Sequence, residues 1–330
     1  MQTTLHMASH DSSDWLYVFK NKADWFISSG EGMPKAIKGL SSPSTQYPST
    51  ILLVGKHDKE AARRAMFSGH ARLSPRGFAQ LDADSSTLNY RYPRLIASLD
   101  VENAYSKLQS PRKNFGQVRH RVEWSSEQSS EPYPLVDTVI SKLLLPFIDV
   151  VCVFVDDFAT PEDAVEALQR WAEQRKSSQY WKPQVVLVSS SSPASITRTQ
   201  PSIFGRVWHV KVTSQNRSRS YRKLKSTIVQ SVNEMRRIKS ACKLHFSASH
   251  LKTLFQAASQ HVAECILSEF DFITAARQHN GIDDQFDYHL QNFVELCSKH
   301  HTGTDFILRY MASAIILDSL PPGMHRKSPA

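Results

Sequence analysis

Glycine is scarce in this chain. Eleven of its 330 residues are glycine, about half the usual share of roughly 7%. Chemistry that presses a backbone against a ligand therefore has few places to sit. None of the eleven combine into GxGxxG, GxxxxGK[ST] or GxSxG, which excludes the standard dinucleotide, triphosphate and serine-hydrolase signatures. Cysteine is scarce too. Cys152, Cys242, Cys265 and Cys297 fit no zinc-motif spacing. Met1 to Asp14 is polar and Ser/His-rich, without the basic-then-apolar start of a secretory signal. The four cysteines are therefore expected as reduced thiols in a cytoplasmic protein. Long hydrophobic runs are missing as well. The longest, LLLPFIDVVCVFV (143–155), carries Pro146 and Asp149 and is too short for a bilayer.

What is present is a globular composition, 41% hydrophobic and 22% charged, in a length that suits two ordinary domains. Charge is unevenly placed. Between Ser202 and Lys243 there are eleven Lys/Arg against one acid, Glu234, a local net of 11 − 1 = +10. The whole chain is +9, so the rest is close to neutral.

Residues 1–47 are Ser/Thr/Pro-rich apart from DWLYVF and DWFISS, and are expected to form a flexible arm, with Trp15 and Trp25 anchoring a short strand or docked loop. Order begins at Ile51–Val54, a short buried-strand run, followed by a turn at Gly55-Lys56 and a helix over 58–67. Residues 68–92 read as a long loop with one edge strand. Strands and helices then alternate. RLIASL (94–99) and DVVCVFV (149–155) are strand-like, as are QVVLV (184–188) and RVWHVKVT (206–213). QVRHRVEW (117–124) alternates as a half-exposed strand does. Residues 133–145 read as a helix broken by Pro146. Thr160-Pro161-Glu162-Asp163 opens a helix with a capping box, and 219–241 is a long helix with an apolar side. Apolar strands separated by helices predict an α/β fold over 48–243, a mostly parallel sheet with helices on both faces. From 244 to 330 three helical patterns predict an all-helical region.

The turn at Gly55 lies where a phosphate-binding loop would. Counting from Gly55, the positions of the second glycine, the lysine and the Mg²⁺-binding hydroxyl hold Glu60, Ala61 and Ala62, so catalytic NTPase chemistry is excluded. Lys56 and Lys59 remain as cations near a helix start, opposed by Asp58 and Glu60. Asp100 ends one strand, and Asp156 and Asp157 end another, at the edge where α/β sheets bind ligands. Gly55, Lys56, Lys59, Asp100 and Asp156 are thus the candidate nucleotide-side residues. An ordinary strand–helix turn with ordinary loop acids is the plainer reading of the same residues. The segment after Asp100, Val101-Glu102-Asn103, lacks a switch glycine, and four serines (189–192) stand where a base-reading Asn-Lys-x-Asp would. His289, Cys297, His300 and His301 cluster near a helix end, where histidines serve as caps. No metal, cofactor or catalytic set is expected.

Arg219, Arg222, Lys223, Lys225, Arg236 and Arg237 decorate the long helix. Such a helix suits an anionic membrane surface, or is simply a solvated outer face. Aromatics are not interleaved with the charges, which argues against nucleic acid.

The stretches YPRLIASLDVE (92–102), YPLVDTVISKLLLPFIDVVCVFVDDFATPEDAVEALQRWAEQ (133–174), FSASHLKTLFQAASQHV (246–262), FDFITAARQHNGI (270–282) and DSLPPGMHRKSP (318–329) resemble the region ahead of the catalytic domain in fungal patatin-like phospholipases. The resemblance covers roughly residues 48–330. It implies a degenerate small-GTPase-type α/β domain followed by helices, a role in lipid metabolism, and a partner that is an anionic membrane or a patatin-like catalytic domain. The family's glycine-rich oxyanion motif, GxSxG serine and Asp-Gly pair have no counterpart here, so its hydrolytic residues are not carried over. The expectation is a non-catalytic regulatory or interaction module, cytoplasmic or peripheral to a membrane. The alternatives are a nucleotide-binding pseudo-GTPase switch, a phospholipase subunit needing a partner chain, and a truncated gene model of a patatin-like lipid acyl hydrolase.

Overall fold

The computed structural model describes residues 13–67, 77–100, 118–124, 133–174, 181–191, 203–242, 244–279, 285–300 and 303–318. Lys243, His301, the Val101–Asn103 segment and the PPGM stretch lie outside them. The strands are β1 (Asp14–Asn21), β2 (Asp24–Ser29), β3 (Ser49–Gly55), β4 (Ala79–Ala83), β5 (Arg94–Asp100), β6 (Arg119–Arg121), β7 (Val150–Phe154), β8 (Gln184–Ser189) and β9 (Val207–Lys211). The α-helices are α1 (Gly32–Lys38), α2 (His57–Met66), α3 (Tyr133–Thr138), α4 (Pro161–Glu173), α5 (Arg217–Ala241), α6 (Ala248–Glu264), α7 (Phe272–His279), α8 (Phe286–Lys299) and α9 (Thr304–Asp318).

Nine strands form one sheet in the order β6-β2-β1-β4-β5-β3-β7-β8-β9. The run from β5 to β9 is parallel, and β4, β1, β2 and β6 extend it antiparallel. The central parallel strands β3, β5, β7 and β8 carry apolar runs because both faces are covered, while the edge strand β9 is mostly half-buried. Ile51, Leu53, Cys152 and Phe154 meet α2 and α5 on one face. Leu52, Val54, Val151 and Val153 meet α3, α4, α6 and α7 on the other. This is the expected α/β architecture. Burial pushes the Cys152 thiol well above the usual range, so it is an inert packing group.

Local chemistry explains several boundaries. Thr160 Oγ1 accepts the Asp163 N–H while Asp163 accepts the Thr160 N–H, closing the expected capping box on α4. The helix begun by α3 widens to a π-turn over Val139–Leu144 and tightens to a 3₁₀ turn at Leu145–Phe147, the break set by Pro146, which has no N–H to donate. Buried Asp137 accepts from Trp171 Nε1 at 2.9 Å and Arg170 Nε at 3.0 Å, tying α3 to α4.

Three expectations need correction. Residues 1–47 are not a flexible arm where they are described: β1 and β2 pair through a two-residue turn with Lys22 at φ 57 and join the sheet through β4. Trp15 is fully buried, and its ring lies 4.7 Å from that of Phe255. The short strand allowed for at Trp15 and Trp25 is a pair of strands, whose apolar runs Trp15–Phe19 and Trp25–Ile27 are bounded by Asp, Lys, Asn and Ser. The edge strand expected within 68–92 is β4, an interior strand between β1 and β5, because the hairpin covers its far side. Lastly, no boundary divides the core at 243/244. Leu254, Phe255, Ala258 and Phe272 of α6 and α7 share one apolar core with β1, β3 and β7. Trp124 Nε1 donates to the Val262 carbonyl at 2.7 Å, and the Glu123 N–H to that of Ala263 at 2.9 Å.

Since Trp15 is a core residue, Trp15→Ala is expected to lower unfolding free energy by about 3–5 kcal/mol in urea denaturation followed by circular dichroism. A substitution in a free arm would leave the midpoint unchanged.

Candidate functional site

From β3 the chain crosses to β5 on one side and later returns to β7 on the other. The crevice above the carboxyl end of β3 is therefore the topological switch point, where open α/β sheets bind ligands. β3 and β5 run in register to Gly55↔Asp100, and β7 delivers the 3₁₀ turn Val155–Asp157 to the same edge. Gly55, Lys56, Lys59, Asp100 and Asp156, distant in sequence, are thus brought to one end of the sheet.

The occupant of that crevice is the chain itself. The N–H groups of Lys56 and Lys59 donate to Asp157 Oδ2 at 2.7 and 3.0 Å. Those of His57 and Asp58 donate to Asp157 Oδ1 at 3.0 and 2.9 Å. The first turn of a helix leaves such donors without intrahelical acceptors, and its partial positive charge favours an anion. One carboxylate from a hundred residues downstream satisfies all four. It sits where the amides of a phosphate-binding turn would hold a phosphate. Gly55 makes this approach possible. Its φ is +149°, and a Cβ there would lie 2.5 Å from Asp157 Oδ2, so a side chain would displace the carboxylate.

The neighbouring side chains serve the fold. Asp156 is exposed and accepts the Ser190 N–H at 2.6 Å, linking the β7 and β8 ends. Lys59 is buried, and its Nζ donates to the Leu99 carbonyl at 3.2 Å. Burial pushes its ammonium below the ordinary lysine range, and Asp100, Glu60 and Asp157 pull it partly back. Glu60, at the second-glycine position, holds Arg63 at 3.1 Å. A polar cavity of about 80 Å³ lies beside Lys59, Gln80, Ser98 and Asp100. Asp58 has its carboxyl pushed up by burial and by the charges of Asp157 and Asp156. Among the described residues no three His, Cys, Asp or Glu side chains gather as a metal site.

The six cations of α5 divide. Arg219, Arg222, Lys223 and Arg237 are exposed. Lys225 is half-buried, its Nζ 5.8 Å from the Phe67 ring centroid. Arg236 packs its guanidinium 4.3 Å from the centre of Tyr92 and donates to Asn233 Oδ1 at 2.7 Å. Lys239, on the same side, pairs at 2.5 Å with Asp149, whose other oxygen accepts the Thr50 N–H. The helix is thus latched to the start of the sheet near its own C-terminus and offers its free cations mainly along the N-terminal half.

Sequence reading placed Asp157 only as a strand-end acid and missed its role. The available signal was an Asp pair directly after the most apolar strand, facing a Gly-Lys turn whose anion-binding side chains are replaced by Glu60, Ala61 and Ala62. No family model matches the chain, and no curated protein matches it.

Removing the Asp157 carboxylate strips four amides of their acceptor. Asp157→Ala is expected to cost about 2 kcal/mol or more, with Asp157→Asn intermediate, in chemical denaturation. Asp58 offers a pH test of the same charges. Its folded pKa is raised, so the folded state holds the proton more tightly and stability falls as pH rises above the unfolded carboxylate range. Asp58→Asn is therefore expected to raise Tm at pH 7, with the gain shrinking as pH falls through the carboxylate range.

Proposed function

We propose that this chain is a non-catalytic regulatory or interaction module, of the kind that precedes the catalytic domain in fungal patatin-like phospholipases. The Asp157 carboxylate seated on the four amides of residues 56–59 carries this reading. A ligand phosphate would have to displace a charge already held by four hydrogen bonds, without a second glycine, a phosphate lysine or a Mg²⁺-binding hydroxyl to assist it. The module has the outline of a nucleotide switch with its anion site filled from within. The strand order around β3 supports descent from such a switch, and the filled cradle argues against retained nucleotide dependence.

The function then falls to the surface, and the exposed cations of α5 are its best-defined charged patch. Arg219, Arg222, Lys223 and Arg237 face outward while Leu224, Ile228, Val232 and Met235 pack inward. This orientation favours an anionic membrane as the surface the module meets.

Millimolar Mg²⁺-GTP or Mg²⁺-ATP is expected to leave Tm unchanged in thermal denaturation. A rise that grows with ligand excess would restore the nucleotide-switch reading. In vesicle sedimentation at low salt the chain is expected to bind phosphatidylserine-containing vesicles and not neutral ones. The triple substitution Arg219→Ser, Arg222→Ser, Lys223→Ser should weaken that partition roughly 100-fold, from about 1 kcal/mol per cation. Equal binding to both vesicle types would leave α5 as an ordinary solvated face.

A further inference from the structure

We infer that the polar cavity beneath the first turn of α2 is a binding site for a small monocarboxylate, held by Lys59, Ser98 and Gln80. Alternation along β5 puts Ser98 on the same face as Ile96, which packs toward α2. Gln80 of β4 is the cross-strand partner of Ser98, so the two polar side chains share that face. Lys59 comes to them from α2, on the buried side that it shares with Ala62, Arg63 and Met66. Together they line a cavity of about 80 Å³, several times the ~10–15 Å³ that one water needs. All three are buried, Lys59 at 3% exposure, Gln80 at 5% and Ser98 at 6%.

Buried polar side chains are ordinarily paired within the protein, and these are not. The Gln80 amide and the Ser98 hydroxyl make no side-chain hydrogen bond among the described residues. Lys59 Nζ gives one of its three N–H groups to the Leu99 carbonyl and forms no ion pair among the described residues. Two of the acids near it are engaged elsewhere, Glu60 by Arg63 at 3.1 Å and Asp157 by the amides of residues 56–59. A buried ammonium whose one acceptor is neutral lacks a counter-charge, and its loss of solvation is what chiefly pushes Lys59 below the ordinary lysine range. The complementary ligand therefore brings an anionic acceptor. Its charge is set by the rim, where Arg64 and Asp100 stand. With Glu60 held by Arg63, the lining sums to Lys59 and Arg64 against Asp100, a net of 2 − 1 = +1. One negative charge balances it, whereas a dianion such as inorganic phosphate leaves the carboxylates of Asp100 and Glu60 facing excess charge. The two oxygens of a carboxylate offer about four lone-pair sites. Two unused ammonium N–H groups, the Ser98 hydroxyl and the Gln80 NH₂ supply donors for them. The cavity lies beside the amide cradle filled by Asp157, and the inference stands apart from the surface reading of α5.

Thermal denaturation of the full chain in sodium acetate tests the inference, with sodium chloride at equal ionic strength as the reference. Acetate is expected to raise Tm in a saturable way that follows ligand excess, and inorganic phosphate at mildly alkaline pH to raise it less. Lys59→Met should abolish the shift. Ser98→Ala and Gln80→Leu should each weaken acetate roughly 10-fold or more, as loss of a hydrogen bond to a charged group does. No saturable shift beyond that of chloride means that the cavity holds solvent alone and overturns the inference. Acetate binding that Ser98→Ala and Gln80→Leu both leave unchanged also overturns it, as does phosphate bound more tightly than acetate. If Lys59→Met does not fold, the two uncharged variants decide.

Discussion

Four backbone N–H groups at the start of α2 need an acceptor, and the arrangement around β3 depends on how that need is met. A helix whose first turn opens over the end of a central strand cannot leave its donors unpaired without cost. In a ligand-binding domain of this layout a phosphate supplies the acceptor, and the empty state is less stable by the binding energy. Here Asp157 supplies it permanently. The same contact fixes the turn after β7, holds α2 over the sheet, and accounts for the φ of +149° at Gly55, where a side chain would collide with the carboxylate.

Around that contact the polar residues near the switch point act as structural ties. Lys59 reaches the Leu99 carbonyl, Glu60 holds Arg63, and Asp156 receives the Ser190 amide. The first and the last cross between elements that a bound ligand would otherwise help to organise, while the second lies within α2. The opposite end of the sheet is tied in a similar way, where Asp149 joins the β3 backbone to Lys239 of α5. The central strands are thus clamped at both ends by carboxylates, and their middle is held by apolar packing on two faces.

The parts of the fold that are legible in the sequence are those whose signals are local. β3, β5, β7 and β8 read as apolar runs because both faces of the parallel half are covered, and the Thr160–Asp163 box lies within four residues. The hairpin of β1 and β2 is not legible in the same way, since its burial comes from β4 and Phe255, far along the chain, and its own Asp, Lys and Asn residues read as loop. For the candidate site, the sequence places Gly55, Asp100 and Asp156 at strand ends, which is enough to assemble the crevice once the strand order is known. It does not reveal that Asp157 rather than a ligand fills it, because the pairing spans about a hundred residues and depends on side-chain direction within a 3₁₀ turn. Nor does it separate Arg236, which lies over Tyr92, from the outward-facing Arg219 and Arg222, since residues on a long helix differ in environment with what packs beside each turn.

The placement of the hairpin also bears on how the chain is made. β1 and β2 leave the ribosome before the rest of the sheet, yet β4, which joins them to it, follows some fifty residues later, and Phe255, which covers Trp15, lies 240 residues beyond Trp15. Until α6 has been synthesised, Trp15, Leu16 and Val18 have no complete core to enter, and the nascent chain carries an apolar two-stranded ribbon with open edges. Such non-local closure slows folding. It makes the hairpin, made before the other strands, among the last parts of the sheet to be secured, and it leaves the growing chain a long interval in which apolar surface that the finished molecule hides stays open.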